Sequence, residues 1–260
     1  MMEYLLKQDP KYYNQNYQQN QKSISRDKYF ETKVTSVFKK FLPNVCFYNS
    51  THYKVKFEEC PKELELDILG MSDLATYIIE VKAHELSHKD KIRIKGLKDK
   101  VKDAVNNALH QCERCKKHIL NEDGIFNTRG DGSISVDKKK PIYKIIVTFQ
   151  QFTMFLTDCE SYKKMGIIDS SIDDTFVVSL FDLMAILDNM NDENELIRYL
   201  EIRKEVNRNK LQYFDELDLF GYFKEGMLDK VAREKGVFIT PIQPSKLDEK
   251  YLGKKMIQML

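Results

Sequence analysis

The stretch ELELDILGMSDLATYIIEVKA, Glu63–Ala83, decides the fold. It holds two apolar runs, LELDILG and ATYIIEVKA, with only MSDL between them, and a gap that short predicts an antiparallel hairpin. If the hairpin is symmetric about the 73–74 peptide, opposed residue numbers sum to 147, so Asp67 faces Glu80 and Glu65 faces Lys82. Opposed residues project to one face with Cβ atoms about 5 Å apart, and residues two apart on a strand share that face. Glu65, Asp67, Glu80, Lys82 and His84 are therefore expected on one side of the sheet.

Charge in such strands is costly unless it is paired or binds a cation. A ladder of ion pairs on a half-exposed hairpin, with Glu65–Lys82 as its rung, is the plainer account. It explains poorly why Leu66, Ile68, Ile78, Ile79 and Val81 surround the charged positions. Two converging carboxylates suit a hard divalent cation such as Mg²⁺, which takes carboxylate oxygens, a backbone carbonyl and water. Such an ion polarises a phosphoryl oxygen, and a neighbouring lysine can orient the attacking water. The set fits phosphodiester hydrolysis.

Outward from the hairpin, Phe30, Val34, Val37, Phe38 and Phe41 recur at helical spacing behind Ser25, a plausible N-cap, and ahead of Pro43. A helix is expected from about Arg26 to Leu42. Strand-like pieces follow at VCFY from Val45 and YKVKF from Tyr53. Leu97, Val101, Ala104, Val105, Ala108, Cys112, Cys115 and Ile119 predict a long amphipathic helix. Residues 121–140, dense in Gly, Asn, Asp and Ser, read as a loop, and PIYKIIVTF and FVVSL read as buried strands. Helical stretches FDLMAILDNM, ENELIRYLEIRKEV and DELDLFGYF complete the pattern. Strands threaded with helices indicate an α/β fold. The expected divisions are a mobile Asn/Gln/Tyr-rich arm over 1–24, a core over 25–150 and a mostly helical extension over 151–260.

At 260 residues with a 42% hydrophobic fraction the chain supports a real core, which excludes global disorder. A net charge of +2 leaves a nucleic-acid partner to be decided by charge distribution. No apolar run is long enough to span a bilayer. The opening MMEYLLKQD lacks the basic region and apolar stretch of a secretory signal, and five cysteines are too few and odd for a disulfide framework. The expectation is a soluble protein of a reducing cytoplasm.

At ELD with Asp67, then EVK with Glu80 and Lys82, the sequence resembles the PD-(D/E)XK nuclease superfamily, whose pattern is an acid in one strand and D/E-x-K in the next. The proline of that pattern is absent, since Leu66 precedes Asp67. The resemblance covers roughly Asp27 to Phe149. It implies a restriction-endonuclease-like mixed sheet flanked by helices, with a helical C-terminal extension. It also implies that Asp67, Glu80 and the carbonyl of Val81 hold Mg²⁺, with Mn²⁺ able to substitute, and that Lys82 positions the water. Glu31, on the first helix, matches a further family glutamate that assists a second metal or the first ion's waters. Gln111 matches a polar residue on the helix after the motif. The plain alternatives are a solvated helix residue at Glu31 and an exposed amide at Gln111. The tail is similar to extensions that follow such cores in bacterial proteins, some associated with anti-phage defence.

Other motifs carry less. CERCKKH offers Cys112, Cys115 and His118 to zinc, with Cys60 or His110 as a fourth ligand, but both cysteines fall on the apolar stripe and read as core. His84 and His88 follow the motif without a catalytic role. Lys89–Asp103 holds seven basic and three acidic residues, and with Lys138, Lys139 and Lys140 it is expected to neutralise phosphates beside the cleft. The reading is a Mg²⁺-dependent nuclease, with duplex DNA as the expected substrate. Cutting both strands favours a homodimer or larger assembly, and the C-terminal helices are available to a partner protein. The rivals are an inactive nuclease-fold module that binds nucleic acid or protein, and an RNA-cleaving toxin-like enzyme.

Overall fold

The hairpin forms in the register its symmetry predicts. Ile68 opposes Ile79, Leu69 opposes Ile78, Gly70 opposes Tyr77 and Met71 opposes Thr76. Ser72 closes the turn. Its hydroxyl accepts the N–H groups of Leu74 (3.1 Å) and Ala75 (3.0 Å), and its own N–H donates to the Ala75 carbonyl at 3.0 Å.

The computed structural model describes residues 26–56, 61–83, 101, 105–128, 132–149, 159–209, 211–213 and 215–234. The arm over 1–24, Cys60, His84, His88 and all of Lys89–Asp103 except Val101 lie outside the described residues. The strands are β1 (Cys46–Lys56), β2 (Pro61–Met71), β3 (Thr76–Lys82), β4 (Ile125–Thr128), β5 (Gly132–Ser135), β6 (Ile142–Thr148) and β7 (Thr175–Ser179). They form one mixed sheet in the order β5-β4-β1-β2-β3-β6-β7. The β5, β4, β1, β2 and β3 neighbours are antiparallel, whereas β6 runs parallel to both β3 and β7. The three parallel strands read TYIIEVK, IYKIIVT and TFVVS because helices cover both of their faces.

On one face, α1 (Arg26–Phe41) packs Phe30, Val34 and Phe38 onto Ile68, Ile79 and Val147. The helices α4 (Leu180–Leu187), α5 (Glu193–Arg208) and α6 (Glu216–Lys224) extend this core with Leu183, Leu200 and Phe220, and α7 (Leu228–Val231) adds Leu228. On the other face, α2 (Asn107–Asn121) buries Ala108, Leu109, Cys112, Cys115 and Ile119 against Leu66, Leu69, Ile78 and Ile146. The short α3 (Cys159–Lys164) and a 3-10 turn at Ser170–Asp174 lead into β7. Ser179, Asp192 and Asp215 cap α4, α5 and α6 by accepting backbone N–H groups. Among the described residues no helix is long and apolar enough to cross a membrane.

Two expectations are corrected. Residues 46–56 form one strand rather than two pieces, and residues 121–140 are not all loop. Phe126 is fully buried, with its ring 5.4 Å from that of Tyr53, and this anchors a small β4–β5 hairpin within the Gly- and Asn-rich segment.

Gly70 sits where the Phe47 ring crosses the sheet. A Cβ there would lie 2.8 Å from Phe47 Cε1 and 3.2 Å from Tyr77 Cβ. Gly70→Ala should therefore cost about 1–3 kcal/mol, read as a lower midpoint in chemical denaturation. An unchanged midpoint would show that the ring moves aside freely.

The β1–β2 pair has one irregular step. Asn49 opposes Ile68 and Thr51 opposes Leu66, but Ser50 and Asp67 between them do not pair. Ser50 has φ +51°, a left-handed conformation that strains a residue with a Cβ. On both strands the faces switch there. Tyr48 and Tyr53 pack into the same core, as do Leu66 and Leu69, although regular alternation would separate each pair.

Candidate functional site

Asp67 stands where the β2–β3 ladder ends. Its Oδ2 accepts the N–H of Val81 at 2.8 Å, so a side chain takes the place of the next backbone partner. Beyond this point β3 continues through Glu80 and Lys82 with β6 as its parallel neighbour. Lys82 Nζ donates to Glu80 Oε2 at 2.8 Å and lies 3.8 Å from Asp67 Oδ2. The three expected groups are therefore together, with the ammonium between the acids. The Lys82 and Asp67 side chains are 13% and 18% exposed, and that of Glu80 only 1%. Asp67 and Lys82 can be reached from solvent, while Glu80 forms the floor.

Glu80 is the most perturbed member. Burial and the charge of Asp67 push its carboxyl up to about 8, against the opposing pull of Lys82. Its Oε1 is buried with no hydrogen-bond partner, a position that usually costs a group its desolvation energy. For Lys82, burial favours the neutral form, but the carboxylates of Glu80 and Asp67 outweigh it and hold the amine protonated above its ordinary range.

Glu31 approaches from α1. Lys28, one turn earlier on the helix, donates to both Glu31 Oε2 and the Ser50 hydroxyl. Burial raises the Glu31 carboxyl and the Lys28 bond lowers it. The charges of Asp67 and Glu65 raise it further, and through Asp67 the Glu31 carboxyl feels the cluster. Asn49 fixes the same stretch by donating to Thr35 Oγ1 at 2.8 Å. Gln111 is half-buried on α2 next to Cys112, whose thiol feels the charges of Glu80 and Lys82.

Glu65 does not join them as expected. The ladder ends at Ile68–Ile79, Glu65 pairs with His52 of β1, and the face switch at Asp67 turns it away from Glu80 and Lys82. Lys138, Lys139 and Lys140 are also misplaced as phosphate contacts beside the cluster. Lys140 donates to the Ser72 carbonyl at 2.7 Å, at the turn end of the hairpin. Six residues of β3 separate that end from Lys82, about 20 Å at strand rise. The cysteines behave as core. Burial and the Glu80 charge push the Cys112 and Cys115 thiols well up, which disfavours the thiolates zinc requires. Both ring nitrogens of His118 are engaged, Nδ1 with Glu122 and Nε2 with the Ile125 carbonyl, each at 3.1 Å. Among the described residues no three His, Cys, Asp or Glu side chains form a ready-made ion cage.

Sequence reasoning missed Ser50 and gave Lys28 no role. The available signal was the polar run Asn49-Ser50-Thr51 inside an aromatic strand, where the reading split β1 in two.

Comparison of the chain with protein-family models, with curated proteins and with solved structures finds no match.

Proposed function

We propose that the chain is a divalent-metal-dependent nuclease of restriction-endonuclease-like fold, with DNA as its expected substrate. The observation that carries the reading is Glu80 Oε1, a buried carboxylate oxygen with no partner, beside Asp67 and Lys82. The donor set fits a hard cation, since Asp67, Glu80 and the Val81 carbonyl offer only oxygen, and Glu31 on α1 feels the charge of Asp67. A bound divalent ion would supply the positive charge that polarises a phosphoryl oxygen and acidifies water.

The chain's own groups have distinct tasks. Asp67 holds the Val81 N–H and so fixes the backbone of the E-x-K segment. The Lys82 ammonium, protonated and partly exposed, donates to the attacking water and to charge developing on the phosphoryl oxygens. Glu31 orients waters on the α1 side. Gln111 is the candidate for contact from α2. The superfamily resemblance of ELD and EVK supports the same assignment, and a place in anti-phage defence belongs to that resemblance alone.

A specific observation also favours an inactive binding module: Lys82 already pairs with both acids, as it would in a purely structural ion-pair cluster. Incubating supercoiled plasmid, labelled single-stranded DNA and labelled RNA with the full chain in Mg²⁺, Mn²⁺ or EDTA separates the readings. Metal-dependent nicking of plasmid is expected. Metal-dependent cleavage confined to RNA would move the substrate to RNA, and no cleavage under any condition would favour the binding module. A homodimer is proposed from the need to cut two strands, and sedimentation at the assay concentration tests it.

A further inference from the structure

We infer that Lys28 is a second built-in cation of this site, holding Glu31 so that the chain takes one divalent ion rather than two. The inference rests on the nuclease reading and concerns how that metal site is filled.

The two acidic positions differ in what they lack. Glu80 Oε1 is buried and without a partner, so an ion arriving there gains an oxygen that nothing else uses. Glu31 is already engaged by the ammonium of Lys28, one helical turn away. That ammonium also donates to the hydroxyl of Ser50, and Ser50 occupies the unpaired step of β1 directly across from Asp67. Lys28 therefore reaches from α1 to the strand that neighbours the cluster.

The contact is built rather than incidental. Asn49 pins the same step to α1 through Thr35 Oγ1, which itself donates to the Glu31 carbonyl at 2.9 Å. Ser50 holds a left-handed backbone that a residue with a Cβ adopts only when its surroundings impose it. The Glu31 side chain is mostly buried, 15% exposed, while that of Lys28 is 37% exposed. A divalent ion bound through Glu31 Oε2 would have to displace Lys28 and strip Ser50 of that donor. The ammonium already supplies positive charge on the α1 side, where a second ion would otherwise be needed.

The test counts bound ions, independently of cleavage. Mn²⁺ is titrated into the full chain and followed by the electron paramagnetic resonance of free Mn²⁺ and by calorimetry. One ion per chain is expected for the native protein and for Lys28→Arg. Lys28→Met, which keeps length and loses charge, should bind two. Adding Glu31→Gln to Lys28→Met should return the count to one. Two ions in the native protein, or one in Lys28→Met, would overturn the inference and leave the nuclease reading standing. No bound ion in any variant would overturn the nuclease reading and the inference with it.

Discussion

Lys82→Met is expected to abolish metal-dependent cleavage and to destabilise the chain in EDTA, and Mn²⁺ should restore only the stability. The Lys82 ammonium lies 2.8 Å from Glu80 Oε2 and 3.8 Å from Asp67 Oδ2 in a site mostly closed to water. Above about pH 8, where Glu80 is ionised, removing it leaves two carboxylates facing each other. Breaking a buried pair by deleting one partner costs about 3–5 kcal/mol, and uptake of a proton by Glu80 returns part of that. A divalent ion replaces the missing charge between Asp67 and Glu80, so thermal melts should recover with Mn²⁺ but not with equal ionic strength of NaCl. Cleavage should stay down by about 10²–10³-fold or more, because no other described group in the cluster donates from the position of Lys82. If Lys82→Met cuts plasmid at the native rate, Lys82 takes no part in cleavage and the assignment of the site fails. If it melts no lower than the native chain in EDTA, the two acids are not held together by the ammonium.

The parts of this site that could be read from sequence depend on short-range geometry. A four-residue gap between two apolar runs leaves little freedom, so the register summing to 147 was legible, and with it the meeting of Asp67, Glu80 and Lys82. Glu65 was misplaced because counting by twos assumes an unbroken pleat, and the pleat breaks at Asp67. That break lies opposite Ser50, whose backbone is left-handed and whose hydroxyl accepts from Lys28 on a helix 22 residues earlier, a contact that no local pattern encodes. The same limit applies to the sheet. IYKIIVT and TFVVS announce buried strands by their continuous apolar runs, but their parallel pairing beside β3 is made across long connections. Phe126 was hidden by turn-forming neighbours, and only its packing on Tyr53 reveals the added hairpin.

The metal assignment also makes a prediction about pH, with a sign that separates it from an ordinary ion-pair cluster. The Glu80 carboxyl is pushed up to about 8, well above the ordinary 4.5 of a glutamate in water. Between those limits the folded chain binds more protons at this group than the unfolded chain does, so its contribution to stability falls as pH rises. That contribution is fully present below about pH 4.5, is lost through pH 8, and changes no further above it. The size is on the order of a few kcal/mol across the window. A divalent ion competes with the proton on Glu80, so bound metal should reverse the trend. Thermal melts in EDTA should show stability decreasing from pH 5.5 to 8.5, while the gain in Tm on adding Mn²⁺ should grow over the same range. Glu80→Gln removes the titrating group and should flatten both slopes without unfolding the chain, since an amide still accepts from Lys82. A Mn²⁺-induced gain that stays constant with pH, or that survives in Glu80→Gln, would place the ion away from Glu80 and leave its unpartnered oxygen without a role.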